Sequence, residues 1–132
     1  MAVNKTSLSA GLLIREILLD NQDVSAITNH IFPIVTDKAD LPYILYKRSG
    51  ISHTCNKGRS DNDTIQMDVI CFTTTYAESI DLAEAVRAAL DGIEAVSNDK
   101  SLRLRSCNLV DGSEGWQDDA YMQSLTFEVK IQ

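Results

Sequence analysis

The segment TIQMDVICFTTTYAESIDLAEAVRAALDG, residues 64–92, changes from strand periodicity to helix periodicity within one stretch of chain. Its first part places alternate apolar side chains on one face, as a half-buried strand does: Ile65, Met67, Val69 and Cys71. Thr75 and Glu78 then have the spacing of a capping box, which starts a helix by satisfying free backbone N–H groups. Gly92 stands where a helix end favours a left-handed residue. The segment therefore predicts a strand that leads directly into an amphipathic helix.

The rest of the chain adds one helix and several strands. Apolar periodicity predicts a first helix from about residue 7 to 19, a turn of helix at 23–29, and strands at 30–35, 41–50, 101–110 and 121–132. Pro33 restricts its strand to a sheet edge or an extended arm. A change of phase within 101–110 indicates a β-bulge. The predicted fold is a single α+β domain over residues 1–132, in the order α-β-β-β-α-β-β, with an antiparallel sheet and its helices packed on one face.

The acidic composition argues against nucleic-acid recognition. The formal net charge is −7, whereas proteins that bind nucleic acids use Lys and Arg to replace counterions on the phosphates. The densest basic pairs are Lys47-Arg48 and Arg103/Arg105, and both lie in strand-like segments. We therefore expect no specific nucleic-acid partner, and such a surface is compatible with a wall past which DNA slides.

The cysteines and the N-terminus indicate a reducing compartment and no membrane anchor. Cys55, Cys71 and Cys107 are odd in number and far apart, so they predict neither a disulfide framework nor a zinc ribbon. The last two lie in strand-like segments, where a buried thiol behaves as a small hydrophobic group. The apolar run 8–19 is interrupted by two charged residues and is too short to span a bilayer.

No catalytic or metal-binding pattern stands out. His53 and Cys55 lie two residues apart in a polar segment, but nucleophilic chemistry also needs a base held by a third group. The aspartates near residues 61–63 and 118–119 do not match a calcium-binding loop, and glycine-rich phosphate motifs are missing. We expect no enzymatic activity, no cofactor and no metal.

Three parts of the chain are candidate contact surfaces. The first helix has a second apolar stripe, Leu8, Leu12 and Leu19, which either a neighbouring part of the chain or another subunit covers. The polar segment 51–63 is either a long loop or a protruding β-arm, and its candidate contact residues are Ile51, His53, Asn56, Lys57 and Arg59. Residues 111–120 predict an acidic, glycine-rich turn that holds Trp116, the one tryptophan. We expect Trp116 to cover an edge of the core, and the alternative is an exposed anchor for a partner.

The ordered segments carry a resemblance over nearly the whole chain. The residues that carry it are Leu41-Pro42-Tyr43 with Tyr46, Gln66-Met67-Asp68-Val69, Tyr76-Ala77, Leu82-Ala83, and Val86-Arg87-Ala88-Ala89-Leu90-Asp91-Gly92. In this order they resemble a family of small tailed-phage and prophage proteins of the tail-completion, tail-terminator or head–tail joining type.

The resemblance implies a structural, non-enzymatic virion protein. Such proteins cap the head-proximal end of the tail tube as a ring, usually six-fold, and join it to the head connector. The implied partners are other copies of the chain, the tail tube protein and the head-completion or connector protein. The implied location is the virion tail, assembled in the host cytoplasm. The alternative is a monomeric or dimeric adaptor that binds one protein partner and has no tail role.

Overall fold

A computed structural model describes residues 7–34, 40–53, 63–100, 102–117 and 119–131. The strands are β1 (Ile31–Pro33), β2 (Tyr43–His53), β3 (Asp63–Thr73), β4 (Ala95–Val96), β5 (Arg103–Gln117) and β6 (Ala120–Ile131). They form one six-stranded sheet in the order β1-β2-β3-β6-β5-β4. The helices are α1 (Ala10–Asp20), α2 (Gln22–Ile27) and α3 (Tyr76–Leu90), and a 3-10 turn, Ser7–Ser9, precedes α1. The α+β class is confirmed.

The main core lies between the helices and one face of the sheet. Its buried side chains come from α1 and α3 and from alternate residues of the central strands: Ala10, Leu13, Ile14, Leu18, Leu82, Val86, Ala89, Leu90, Ile65, Met67, Val69, Cys71, Phe127, Val129 and Ile131. The alternation predicted for β3 and β6 therefore matches the buried face. Burying each large apolar side chain stabilises the fold by about 1.5–3 kcal/mol.

The strand–helix unit forms as its sequence predicts. The Thr75 hydroxyl accepts a hydrogen bond from the Glu78 backbone N–H at 3.2 Å, so Thr75 caps α3. At the other end, Gly92 has a φ of +78°. Its N–H donates to the carbonyl of Cys107 in β5 at 2.6 Å. The end of α3 is thereby joined to the sheet on which the helix packs.

The expectation of a wholly antiparallel sheet is wrong at one edge. β1 pairs with β2 in parallel, with Ile31 opposite Ile44 and Pro33 opposite Tyr46. A parallel pair normally needs a crossover of a dozen or more residues. Here residues 34–42 alone connect the strands, because β1 is only three residues long and the chain has little distance to return. The edge position predicted for Pro33 is confirmed.

The turn predicted at 111–120 is also wrong, because most of it is strand. β5 continues to Gln117 and β6 begins at Ala120, so only residues 118 and 119 separate them. The glycines that suggested a turn lie opposite large side chains: a Cβ on Gly115 would be 3.4 Å from the Met122 side chain, and one on Gly112 3.6 Å from that of Leu125. Both distances are ordinary van der Waals contacts, so a Cβ would fit at either position.

Two smaller features complete the sheet. The bulge predicted within 101–110 is confirmed by the register shift between Leu104 and Ser106, and a second shift follows between Leu109 and Asp111. The two-residue β4 was not predicted, because it is too short to show a period. On the face away from the helices, a small second cluster forms around Leu45, Phe72 and Ala120.

We expect Gly92→Ala to lower the free energy of unfolding by about 1–2 kcal/mol, because a Cβ is disfavoured in the left-handed region. No atom lies within 4 Å of the added Cβ, so backbone conformation alone causes the loss. Gly50→Ala is the matched control, because its φ is not positive and its Cβ meets only the Gln66 side chain, at 3.8 Å. Urea unfolding measures both. A Gly92→Ala protein as stable as the control would contradict the assignment.

Candidate partner-contact surfaces

The β2–β3 and β5–β6 connections lie at opposite ends of the sheet. β3 pairs along its length with β6, from Thr64 opposite Lys130 to Thr73 opposite Tyr121. The connection from β2 to β3 therefore leaves one end, here called the arm end. The connection from β5 to β6 leaves the other, here called the hairpin end. Each end presents a different surface.

At the arm end, β2 and β3 stay paired to the limit of the described residues. The register reaches His53 opposite Asp63, which favours the β-arm over the long loop. Ile51 lies on this arm with 48% of its surface exposed. Only the backbone of His53 is described, and Asn56, Lys57 and Arg59 lie outside the described residues.

The three leucines of the second apolar stripe on the first helix differ in exposure. Leu8 and Leu12 are exposed, at 61% and 51%, whereas Leu19 packs partly buried against the main core. Leu8 and the exposed Ile34 line a mainly apolar groove of about 340 Å³ beside β2. The Arg48 guanidinium donates to the Leu8 carbonyl at 3.1 Å and closes one side of this groove. The structure thus leaves two of the three leucines available for contact.

The hairpin end carries exposed aromatic rings. Trp116 is 62% exposed, so the expectation that it covers the core is wrong, because it stands one pair from the end of the β5–β6 register, at the margin of the sheet. It stands opposite Tyr121 in the β5–β6 register. Tyr121 meets Tyr76, the first residue of α3, edge-on with ring centroids 5.9 Å apart. We call Tyr76, Trp116 and Tyr121 the aromatic patch.

Side-chain hydrogen bonds fasten this hairpin to α3. The Tyr76 hydroxyl donates to Glu114 Oε2 at 2.8 Å, and Gln123 Nε2 donates to the same oxygen at 3.0 Å. Gln123 also reaches Ser79 Oγ on α3, at 3.3 Å. The hydrogen bond from Gln123, and then that from Tyr76, lower the pKa of Glu114, and the bond to Glu114 raises the pKa of Tyr76. The aromatic patch therefore sits on a braced support.

Sequence reasoning singled out Trp116 but missed the residues around it. The alternation of β6 already placed Tyr121 on a strand face, and the helix start already placed Tyr76 at the first turn. Neither signal shows that the two elements meet. Glu114 and Gln123 gave no signal, because their bond joins separate segments.

The two described cysteines are buried thiols, as predicted. Burial raises the pKa of Cys71 to about 12. Burial, with a smaller contribution from the Asp91 carboxylate, raises the pKa of Cys107 to about 12. Among the helices of the described residues, none is both long and apolar enough for a membrane crossing.

The comparison with protein families decides the identity. The tail completion protein gp17 family matches residues 13–131. The chain belongs to this family. It is a phage tail-completion protein with a structural role in the virion tail.

One solved structure illustrates the shared fold. A chain in the virion of a native gene transfer agent (GTA) particle is similar to this tail-completion protein, with a TM-score of 0.76 and 16% sequence identity. The similarity covers 89% of this chain and 90% of that chain. Among curated proteins, no sequence matches significantly.

We expect the fluorescence of Trp116 in the monomer to be that of a water-exposed indole. Acrylamide should quench the native monomer almost as well as the urea-unfolded chain, because the ring is mostly exposed. The Trp116→Phe protein is the control for residual tyrosine emission. A blue-shifted emission shielded from acrylamide, in a sample shown to be monomeric, would place the ring in the core and contradict the structure.

We also expect the protein to lose stability above about pH 9. The unfolded thiols ionise near their usual pKa of about 8.5, whereas the buried thiols, with pKa values of about 12, stay neutral. Their contribution is complete below the unfolded pKa and declines as the pH rises toward the folded value. Urea unfolding between pH 7 and about pH 10.5 measures it. The Cys107→Ala protein should show a smaller slope, and equal slopes would argue against the buried thiol.

Proposed function

We propose that this tail-completion protein forms a ring that caps the head-proximal end of the tail tube and joins it to the head connector. The observation that best supports a ring is the presence of two different surfaces at opposite ends of one sheet, one with the exposed Ile51 and the other with the exposed Trp116. A closed ring of identical subunits needs two unlike patches on each subunit, each contacting the other kind on its neighbour. A hexamer is the expected size for this role.

The proposed partners follow from the two outer faces of such a ring. One face contacts the tail tube protein and the other contacts the head-completion or connector protein, after assembly in the host cytoplasm. The formal net charge of −7 suits a ring through which DNA passes without adhering, because acidic walls repel the phosphates. We also infer that residues 1–132 act as one domain, since all six strands join a single sheet.

The contact residues of this proposal are those that the structure leaves exposed, together with His53 at the end of β2 and three residues of the connection that follows it. They are Leu8, Leu12, Ile51, His53, Asn56, Lys57, Arg59 and Trp116. Leu19 has the weakest case, because it already packs against the core. The groove beside Leu8 adds Ile34, which is 68% exposed.

The experiment adds the purified chain to tail tubes that lack their terminal protein. We expect electron micrographs to show capped tube ends and no further growth when free tube protein is supplied. Native mass spectrometry should detect the ring, either free or released from the tubes. Tubes that keep growing, with bare ends, would overturn the capping role, and a monomer or dimer that binds one partner away from tube ends would favour an adaptor.

A shortened arm tests the contribution of the β-arm. Residues 54–62 are replaced by Asn-Gly, because His53 and Asp63 are paired and a two-residue turn of this type closes an antiparallel pair. We expect an unchanged circular dichroism spectrum and a loss of capping by about tenfold or more, since an anchor at an interface contributes at this scale. Val96→Thr, on the exposed β4, is the control and should cap normally. Normal capping by the shortened chain would remove the arm from the interface.

A further inference from the structure

The two ends of the sheet differ in the balance of charge on their strands. The hairpin of residues 110–121 contains no Lys or Arg, and its described carboxylates are Asp111, Glu114 and Asp119. The basic residues of the strands lie elsewhere, at the arm end or in the middle of the sheet: Lys47, Arg48, Arg103, Arg105 and Lys130. The strands also carry Asp63, Asp68 and Glu128 outside the hairpin, so the acidic end is free of cations, whereas the basic end has an excess of cations rather than cations alone.

The basic end contains a compact group of three exposed side chains. Arg103 and Arg105 flank the buried Leu104, and Lys130 precedes Ile131, which pairs with Leu104. All three lie on the face of the sheet away from the helices, and we call them the basic cluster. Among the described residues the one ion pair joins Arg87 to Asp91, so no described carboxylate pairs with the cluster.

The hairpin end offers the chemistry that such cations favour. Arg guanidinium groups stack on the faces of Trp and Tyr and donate to carboxylates. The aromatic patch presents exposed rings next to the hairpin carboxylates, on a support braced by Glu114 and Gln123. A braced aromatic surface loses little conformational freedom on docking.

We propose that the aromatic patch of one subunit docks on the basic cluster of a second copy of this chain, which builds on the ring proposed above. Charge complementarity selects this occupant, because the chain itself carries the matching surface at its opposite end. Patches at opposite ends of one sheet make a head-to-tail contact, which repeats from subunit to subunit. Since each chain carries a net charge of −7, two subunits that approach each other in a random orientation repel. The local charge complementarity between the two patches favours one defined orientation.

The test removes charge from each surface and keeps its shape. Asp111→Asn/Glu114→Gln/Asp119→Asn leaves an acceptor oxygen at every position, and asparagine tolerates the φ of +61° at residue 119. Arg103→Gln/Arg105→Gln/Lys130→Gln removes the basic cluster. Sedimentation velocity from micromolar to millimolar protein gives the self-association constant of each variant, alone and combined in one chain.

We expect each triple variant, and Trp116→Ala, to weaken self-association by about tenfold or more. The association constant of the combined variant should fall by less than the product of the two fold-losses measured for the triple variants, because both triples remove the same contact. The control Asp81→Asn/Glu84→Gln/Glu94→Gln changes the net charge as much as the hairpin triple does, on exposed residues elsewhere, and should associate like the wild type.

The proposal is overturned if the fold-losses of association from the two triple variants multiply in the combined variant, or if neither triple weakens association. It is also overturned if the wild-type chain stays monomeric at millimolar concentration. If the hairpin triple loses binding to tail tubes but keeps its self-association, the aromatic patch serves another protein and the proposal fails. Capping of tubes is scored separately. A hairpin triple that still caps tubes leaves the ring function standing, and a coupled self-association without capping leaves this contact standing alone.

Discussion

The packing of α3 on the sheet is the contact on which the rest of the structure depends. The helix starts three residues after β3 ends, and its apolar stripe lies over the central strands that carry Val69 and Phe127. Its first turn supports the aromatic patch through Tyr76 and Ser79. The two residues that follow it join β5: Gly92 through its N–H, and Asp91 through its carboxylate, which accepts the Leu109 N–H at 2.9 Å. The helix is thus joined to the β5–β6 pair near both of its ends.

Local signals predicted the parts of the fold that local physics controls. The alternation of β3, the cap at Thr75 and the glycine at position 92 each act within a few residues, and all are found in the structure. The parallel pairing of β1 depends on where a short strand meets a distant one, which periodicity does not encode. The hairpin at Trp116 was predicted as a turn because its glycines suit turns equally well. In the structure both lie within β5, opposite Met122 and Leu125 of the facing strand.

The same difference between local and long-range signals explains which exposed residues the sequence revealed. Leu8 and Leu12 were found because an amphipathic helix with a surplus apolar stripe is unusual, and both are exposed. Tyr76 and Tyr121 were missed because their proximity is a property of the assembled fold. The tail completion family accounts for the structural role. The family match does not say which residues make contacts. The differences between the two ends of the subunit are seen only in the charged and aromatic residues of this chain.

The outer border of β5 has a consequence for handling the free protein. Beyond Arg103 and Leu104, which pair with β4, no described strand covers this border, so its amide and carbonyl groups form an open edge. Open edges invite fibrillar pairing between copies. Two register shifts interrupt the spacing of those groups, and carboxylates follow along the strand. Both features disfavour an in-register partner strand, so this border is protected against forming amyloid-like stacks.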